Sequence, residues 1–316
     1  MFWLKLGVFI VRSLNEGFVK GELSTTQNEG VVICIPKGDQ PREFIKNWRP
    51  ITLLNVVYKI GSSCIANRLK LVLSSLINED QTGFIPNRFL GDNLRLLYDV
   101  ISYVNEENMS AMLLCLDFEK AFDSIDWGFM HKVLSFFGFG PDFCRWVNTF
   151  QHNIKATVSV NGQISTWFPI ERGCRQGDPI SPYLFILCVE ILGIMIRENS
   201  NIRGIIIGEV EHKISQFADD TEMTLHGDRQ SFEEAMQVLD HFGSKSGLFL
   251  NAHKTSAIWL GNMRNSPVKF MHHLNIKWNP QRFKILGIWF TNDLKDCAVI
   301  NMNFFLAKFR LCIGHG

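Results

Sequence analysis

Ile214-Ser215-Gln216-Phe217-Ala218-Asp219-Asp220-Thr221-Glu222-Met223-Thr224-Leu225 sets two acids side by side between two short, mostly apolar arms. Ile214, Gln216 and Ala218 fall on one side of the first arm, and Thr221, Met223 and Leu225 on one side of the second. Period-two segments around a polar pair read as a β-hairpin with the acids at its turn. Two like charges held together raise each other's pKa unless a cation lies between them. Mg²⁺ takes oxygen ligands and is commonly held by one or two carboxylates plus substrate phosphates. The pair therefore suggests a metal site for phosphoryl chemistry, although an isolated Asp-Asp is more often a solvated turn.

A third acid shifts that balance. Ala111-Met112-Leu113-Leu114-Cys115-Leu116 is a continuous apolar run that stops at Asp117. Such a run reads as a buried strand, with a helix segment compatible on pattern alone. If the hairpin lies beside this strand, three carboxylates converge, as in sites that hold two metals for an in-line displacement.

Working outward, an ordered series of short motifs spans residues 31 to 290. They are Ile35-Pro36-Lys37, Trp48-Arg49-Pro50-Ile51, Gln81-Thr82-Gly83-Phe84, Leu116-Asp117-Phe118-Glu119-Lys120-Ala121-Phe122-Asp123, Arg175-Gln176-Gly177-Asp178-Pro179, Phe217-Ala218-Asp219-Asp220, Leu250-Asn251-Ala252-His253-Lys254-Thr255 and Leu286-Gly287. In this order they resemble the reverse transcriptase domain of non-LTR retrotransposons of the long interspersed element type. The resemblance implies an α+β right-hand polymerase, with fingers and an antiparallel palm sheet that carries the acids and is backed by helices. It divides the chain into an N-terminal helix and loop (1–30), fingers and palm (31–290) and the start of a truncated thumb or connection (291–316).

The resemblance also implies roles. Asp117, Asp219 and Asp220 would hold two Mg²⁺ ions, with Mn²⁺ as an alternative. Lys254 would stand close to the triphosphate and aid the leaving pyrophosphate. Lys37, Arg49, Phe118, Phe122, Gln176 and Gly177 would bind the incoming nucleotide. Phe122 would be a steric gate against the 2′-OH that separates ribonucleotides from deoxynucleotides. Arg88 would contact the template, and Leu286-Gly287 would form the turn that grips the primer. The implied partners are an RNA template, a DNA primer and deoxynucleoside triphosphates; protein partners are not indicated. Residue by residue, the bland alternatives are a core phenylalanine at 122, surface charges at 37, 49 and 254, and a helix-entry loop at 175–179.

The implied activity is RNA-directed DNA synthesis. The rival is a truncated retroelement remnant that is catalytically silent and at most binds nucleic acid. Intact acids and Phe122 favour synthesis, and the short ends favour the remnant. Glu222 departs from the pattern: on a strand it shares a face with Asp220 and either crowds the metals or points away.

Composition sets the outer bounds. The chain has 316 residues, 46% hydrophobic, enough for two ordinary domains or one multi-lobed one. The formal net charge is only +1, so no global basic field announces nucleic acid. Between Lys37 and Lys70, however, seven basic residues face two acidic ones, a net of +5. That patch suffices for phosphate contacts, and a solvated charged face accounts for it equally well. Eight scattered cysteines without a Cys-x-x-Cys pair argue for free thiols in a reducing compartment. No apolar run reaches transmembrane length, so the expected place is intracellular, in nucleus or cytoplasm.

Periodicity supplies the elements. Helices are expected at 2–19 (packed through Trp3, Leu6, Ile10 and Leu14), 53–76, 92–104, 142–152, 183–196 and 231–246, with another capped by Asp126. Strands are expected at 31–35, 111–116, 156–160, 165–170, 204–208 and 255–260. Residues 21–30 and the turn 37–41 read as loop.

Overall fold

The computed structural model describes the backbone of residues 2–38 and 41–313 and the side chains of residues 3–38 and 41–306. Asp39 and Gln40, in the expected 37–41 turn, lie outside the described residues, as does the side chain of Cys312. The chain divides into two compact units, one made of residues 1–77 and 120–188, the other of residues 78–119 and 189–316.

The first unit is built on the strand Glu29–Pro36. Trp48–Leu54 runs antiparallel to it, from Gly30 opposite Leu54 to Pro36 opposite Trp48. Lys155–Val160 runs parallel on its other side and pairs in turn with Gln163–Ile164 and Phe168–Pro169. Trp48–Leu54 is an edge strand, which is where Pro50 is tolerated in a sheet. Periodicity alone assigns Leu53 and Leu54 to the following helix. In the structure they stay in the strand, and the helix Val56–Leu76 starts after Asn55, whose side chain accepts from the Val57 N–H at 2.8 Å. Residues 21–30 are not all loop either. Ser24 and Gln27 form a capping box around the short helix Thr25–Asn28, and Glu29 already belongs to the strand.

The N-terminal helix Phe2–Lys20 packs through a different face from the one expected. Leu14 is buried, but Trp3 and Leu6 are 59% and 51% exposed. The contacts concentrate in its second half. Leu14 lies so close to Gly61 that a Cβ there would meet its Cδ2 at 2.8 Å, and Phe18 stacks on Trp146 with centroids 3.9 Å apart.

The second unit centres on Ser110–Leu116, the middle strand of a five-stranded sheet. Ser256–Gly261 and Asp220–His226 flank it, both antiparallel. Lys277–Trp278 and Ile214–Phe217 form the outer strands. Both faces of the middle strand are covered, which is why it reads as an unbroken apolar run. On one face Leu113, Ile258 and Leu260 pack against Leu97, Val100, Ile101 and Val104 of the helix Leu90–Glu106. On the other, Trp259 meets Phe270 and Trp278, and both of these rings meet Phe232 of the helix Arg229–Ser246. Burying each such side chain contributes roughly 1.5–3 kcal/mol.

The helix Ser181–Glu198 is apolar all round, and Phe185, Ile186, Leu187, Cys188, Val189, Leu192 and Ile196 are fully buried. Its first half belongs to the first unit and its second half to the second. Phe283–Ile285 and Ile288–Phe290 form a hairpin whose two turn residues, Leu286 and Gly287, both have positive φ (48° and 89°). The helix Cys297–Ile313 follows. Among the described residues no helix is long and apolar enough to cross a membrane, and the seven cysteines other than Cys312 are free thiols.

Candidate active site

The hairpin forms as its period-two arms foretell, with one refinement. Phe217 pairs with Asp220, so the two turn residues are Ala218 and Asp219, and Asp220 opens the second strand. Ala218 has φ 59°, a left-handed conformation that favours glycine or asparagine. On the neighbouring strand Leu116 stands opposite Thr221. One step further along the antiparallel register, Asp117 comes level with Asp220. Asp117 just past one strand, Asp220 at the start of its neighbour and Asp219 in the turn thus lie at one end of the sheet.

The electrostatics bear this out. Asp220 is pushed up to about 6 by partial burial of its carboxyl, then by Asp219 and Asp117. Asp117 Oδ2 is buried without a hydrogen-bond partner, and the exposed Lys254 ammonium lies 3.5 Å from it, within ion-pair range only. The backbone of Asp117 is held from the segment around Lys254. Asn251 N–H donates to Asp117 O at 2.7 Å, and Asp117 N–H donates to the Thr255 hydroxyl at 3.3 Å.

Glu222 is settled by its surroundings. It is 6% exposed, opposite Cys115 on one side and Ser215 on the other. Burial, and then Asp220, push its carboxyl up to about 8, which keeps it protonated and neutral near pH 7.

The donors are hard carboxylate oxygens, one of them orphaned, in a place where negative charge already repels itself; that chemistry fits Mg²⁺ or Mn²⁺. The carboxylates do not form a ready-made cage, since among the described residues no group of three or more His, Cys, Asp or Glu is drawn together closely enough to hold a metal. Substrate phosphates commonly complete a Mg²⁺ shell of this kind.

The other candidates in the second unit divide. Phe118 is buried and bridges to Leu250 through its backbone, so its ring faces the core. Arg88 donates to the carbonyls of Asn78 and Gln81, bracing its own loop. Leu286 and Gly287 form the tight turn described above.

In the first unit, Ile35 pairs with Arg49, and Lys37 N–H continues the ladder by donating to Asn47 O at 2.8 Å. Lys37 and Arg49 therefore share one side of the hairpin. Lys37 Nζ donates to Lys46 O, while Arg49 is exposed. Phe122 is half-buried with one face stacked on Phe185, centroids 4.1 Å apart. Gly177 has φ 109°, and a Cβ there would lie 2.6 Å from Thr52 O. Beside it Thr52 N–H donates to Gln176 O at 2.8 Å. The glycine thus permits the close backbone approach its motif implies. A cavity of about 450 Å³ opens in this unit, lined among others by Pro50, Thr52, Asp123, Arg172 and Gln176.

Two motif residues not singled out by the sequence hold this loop. Asp178 accepts from the Tyr58 hydroxyl at 2.8 Å and from the Ser62 hydroxyl. The Arg175 guanidinium lies over the Tyr58 ring, 4.5 Å from its centroid. Burial, then the Asp178 carboxylate, push the Tyr58 phenol well above its ordinary range. Their place in Arg-Gln-Gly-Asp-Pro was the available signal.

A right-hand polymerase fold with three acids at the end of its central sheet is the class these features define. The same architecture occurs in telomerase from Candida tropicalis, with a TM-score of 0.59 at 10% identity over 93% of this chain and 48% of that one. The family profile described as reverse transcriptase (RNA-dependent DNA polymerase) matches residues 35–290, and the chain belongs to that family. Its relatives place it with non-LTR retrotransposons. It is 31% identical to the Transposon TX1 uncharacterized 149 kDa protein of Xenopus laevis, over 92% of this chain and 22% of that protein. It is 27% identical to the Pol polyprotein from the type-1 retrotransposable element R2 of Popillia japonica, over 76% and 33%. It is 25% identical to the RNA-directed DNA polymerase from mobile element jockey of Drosophila funebris, over 86% and 26%. The chain spans between about a fifth and a third of the length of these relatives.

Proposed function

We propose that this chain extends a primer 3′-OH on an RNA template, adding deoxynucleotides by two-metal nucleotidyl transfer. The observation that carries this reading is the convergence of Asp117 with the Asp219-Asp220 hairpin, where burial first and then the neighbouring acids push the Asp220 carboxyl up to about 6. When bound, the two divalent ions supply activation of the attacking hydroxyl and charge neutralisation at the triphosphate. Asp117 and Asp219 are the residues to hold both, with Asp220 in support. Lys254, exposed and only loosely paired with Asp117, is free to turn toward the pyrophosphate as it departs.

Lys37 and Arg49 serve as phosphate contacts on one side of their hairpin. Gln176 and Gly177 approach the nucleotide through the loop held by Tyr58, Arg175 and Asp178. Phe122 offers an edge against the sugar because its other face is committed to Phe185. Arg88 and the Leu286-Gly287 turn face template and primer, and Phe118 contributes its backbone. In this reading residues 31–290 are fingers and palm, residues 1–30 an N-terminal helix and loop, and residues 291–316 the start of a thumb or connection.

The test is Mg²⁺-dependent primer extension on an RNA template, with deoxynucleotides and ribonucleotides side by side and Asp219→Asn as control. Extension by deoxynucleotides, lost in the control, is the expected result. A folded chain that binds the duplex and extends nothing would instead be a silent remnant.

A further inference from the structure

We propose that Gln81 is a positioning residue that fixes the turn carrying Asp219; the catalytic consequence of this rests on the polymerase reading above. Ala218 holds a left-handed backbone (φ 59°) that ordinary side chains avoid. Strain of this kind persists only where the surroundings impose it. Besides the two-residue turn itself, one side chain binds both backbone groups of this residue. Gln81, fully buried, accepts from Ala218 N–H at 2.9 Å through Oε1 and donates to Ala218 O at 3.4 Å through Nε2. The same Oε1 accepts from Gly83 N–H at 2.8 Å. A primary amide carries its donor and its acceptor on separate atoms, so Gln81 can satisfy both backbone groups of one strained residue.

The rest of the segment closes around the same turn. A Cβ on Gly83 would lie 2.4 Å from Ala218 N, so any larger residue would displace the turn. Gln216 N–H donates to Asp80 O at 2.8 Å, and Gln216 O accepts from Thr82 N–H at 2.9 Å and from the Asn93 amide at 2.8 Å. The segment is itself braced. Arg88 donates to Gln81 O at 2.7 Å, and Arg197 pairs with Asp80 at 2.9 Å and with the buried Glu190. Residues 80–83 are thus a cradle anchored on two sides, and Gln81 is its contact with the turn. An apolar residue at 81 would leave the buried Ala218 N–H unpaired, and an acidic one would bring a further negative charge beside Asp219.

The experiment uses the full chain with Gln81→Met, Gln81→Asn, Asp219→Asn and, as a comparator of similar instability remote from the turn, Val104→Ala. Primer extension gives kcat, the deoxynucleotide KM and the Mg²⁺ concentration for half-maximal rate; amide exchange reads the turn without substrate. Gln81→Asn keeps a polar amide for folding but is one methylene short of Ala218. Both Gln81 variants are expected to lose about 10–100-fold in kcat, the scale of a small misplacement of a reacting group, with little change in KM and a higher Mg²⁺ requirement. Exchange at Ala218 rises in both, while Val104→Ala keeps wild-type kcat and Mg²⁺ dependence. Wild-type kcat and wild-type Ala218 protection in a folded Gln81→Asn would overturn the proposal, as would an equal kcat loss in Val104→Ala. If the wild-type chain extends no primer, or Asp219→Asn remains active, the polymerase reading fails, and Ala218 exchange still decides whether Gln81 holds the turn.

Discussion

Leu116 stands opposite Thr221, and that single pairing sets Asp117 level with Asp220 across two antiparallel strands. Removing the charge of Asp117 or Asp219 should suppress chemistry without disturbing the sheet, since the acids lie at its end. Asp117→Asn and Asp219→Asn are expected to lower primer extension by at least about 10²–10³-fold, the scale of losing a preorganised electrostatic contact. Asp220→Asn should retain more. Chelation of divalent ions should stop wild-type synthesis and leave the thermal midpoint of the metal-free chain unaffected. Full activity in Asp219→Asn would remove the metal assignment.

Phe122 is held flat on Phe185, so its position does not depend on a flexible rotamer. If Phe122 is the steric gate proposed above, shortening it opens space for a 2′-OH. Phe122→Val should raise ribonucleotide incorporation relative to deoxynucleotide by roughly 10–100-fold, the range over which apolar pockets reject an added hydroxyl. The lost stacking should cost about 1–3 kcal/mol in stability. An unchanged ratio of ribonucleotide to deoxynucleotide kcat/KM in a folded variant would return Phe122 to a packing role.

Much of this was legible in the chain. The hairpin declared itself because alternation in its arms is a local property, and the Asp117 strand did so because both its faces are buried. Trp48–Leu54 was hidden because Pro50 argues against a strand and Leu53-Leu54 merge with the next helix. Only the edge position and the Asn55 cap separate them. The Phe2–Lys20 helix shows the reverse error: its spacing marked a helix correctly but not the face that packs, which depends on Gly61 and Trp146 far along the chain. Gln81 could be recognised as part of a motif. Its contact with Ala218, 137 positions away, has no local signature.

Gly177 combines two constraints that only a residue without a Cβ meets. Its φ of 109° lies where L side chains strain, and the Thr52 carbonyl lies 2.6 Å from where a Cβ would sit. Gly177→Ala should therefore destabilise the chain by more than the roughly 1 kcal/mol of a backbone effect alone, and displace the Gln176 loop. Denaturant titration should show the loss of stability, and the deoxynucleotide KM should rise if Gln176 lines the nucleotide pocket. Wild-type stability would mean that the Thr52 edge yields without cost.

Asp228 gives the second unit an acid-sensitive point. It caps the helix Arg229–Ser246 by accepting from Ser231 N–H at 2.9 Å. Burial alone would raise its carboxyl. The Ser231 N–H, His226, the Ser231 hydroxyl and Arg203 outweigh that and hold it at about 2. Because the folded value lies below the unfolded one, its contribution is fully present above about pH 4 and is lost as pH falls toward 2. Asp228→Ala should cost about 0.5–2 kcal/mol at pH 7, the usual range for a lost N-cap, and much less at pH 2. Asp228→Asn keeps a capping oxygen but no charge, so it should lose less at pH 7 and show a flatter acid limb. Urea titrations of the three chains at pH 7, 4 and 2 measure this directly. A mutational cost that grows as the pH is lowered would contradict the sign and, with it, the reading of Asp228 as an ionised cap.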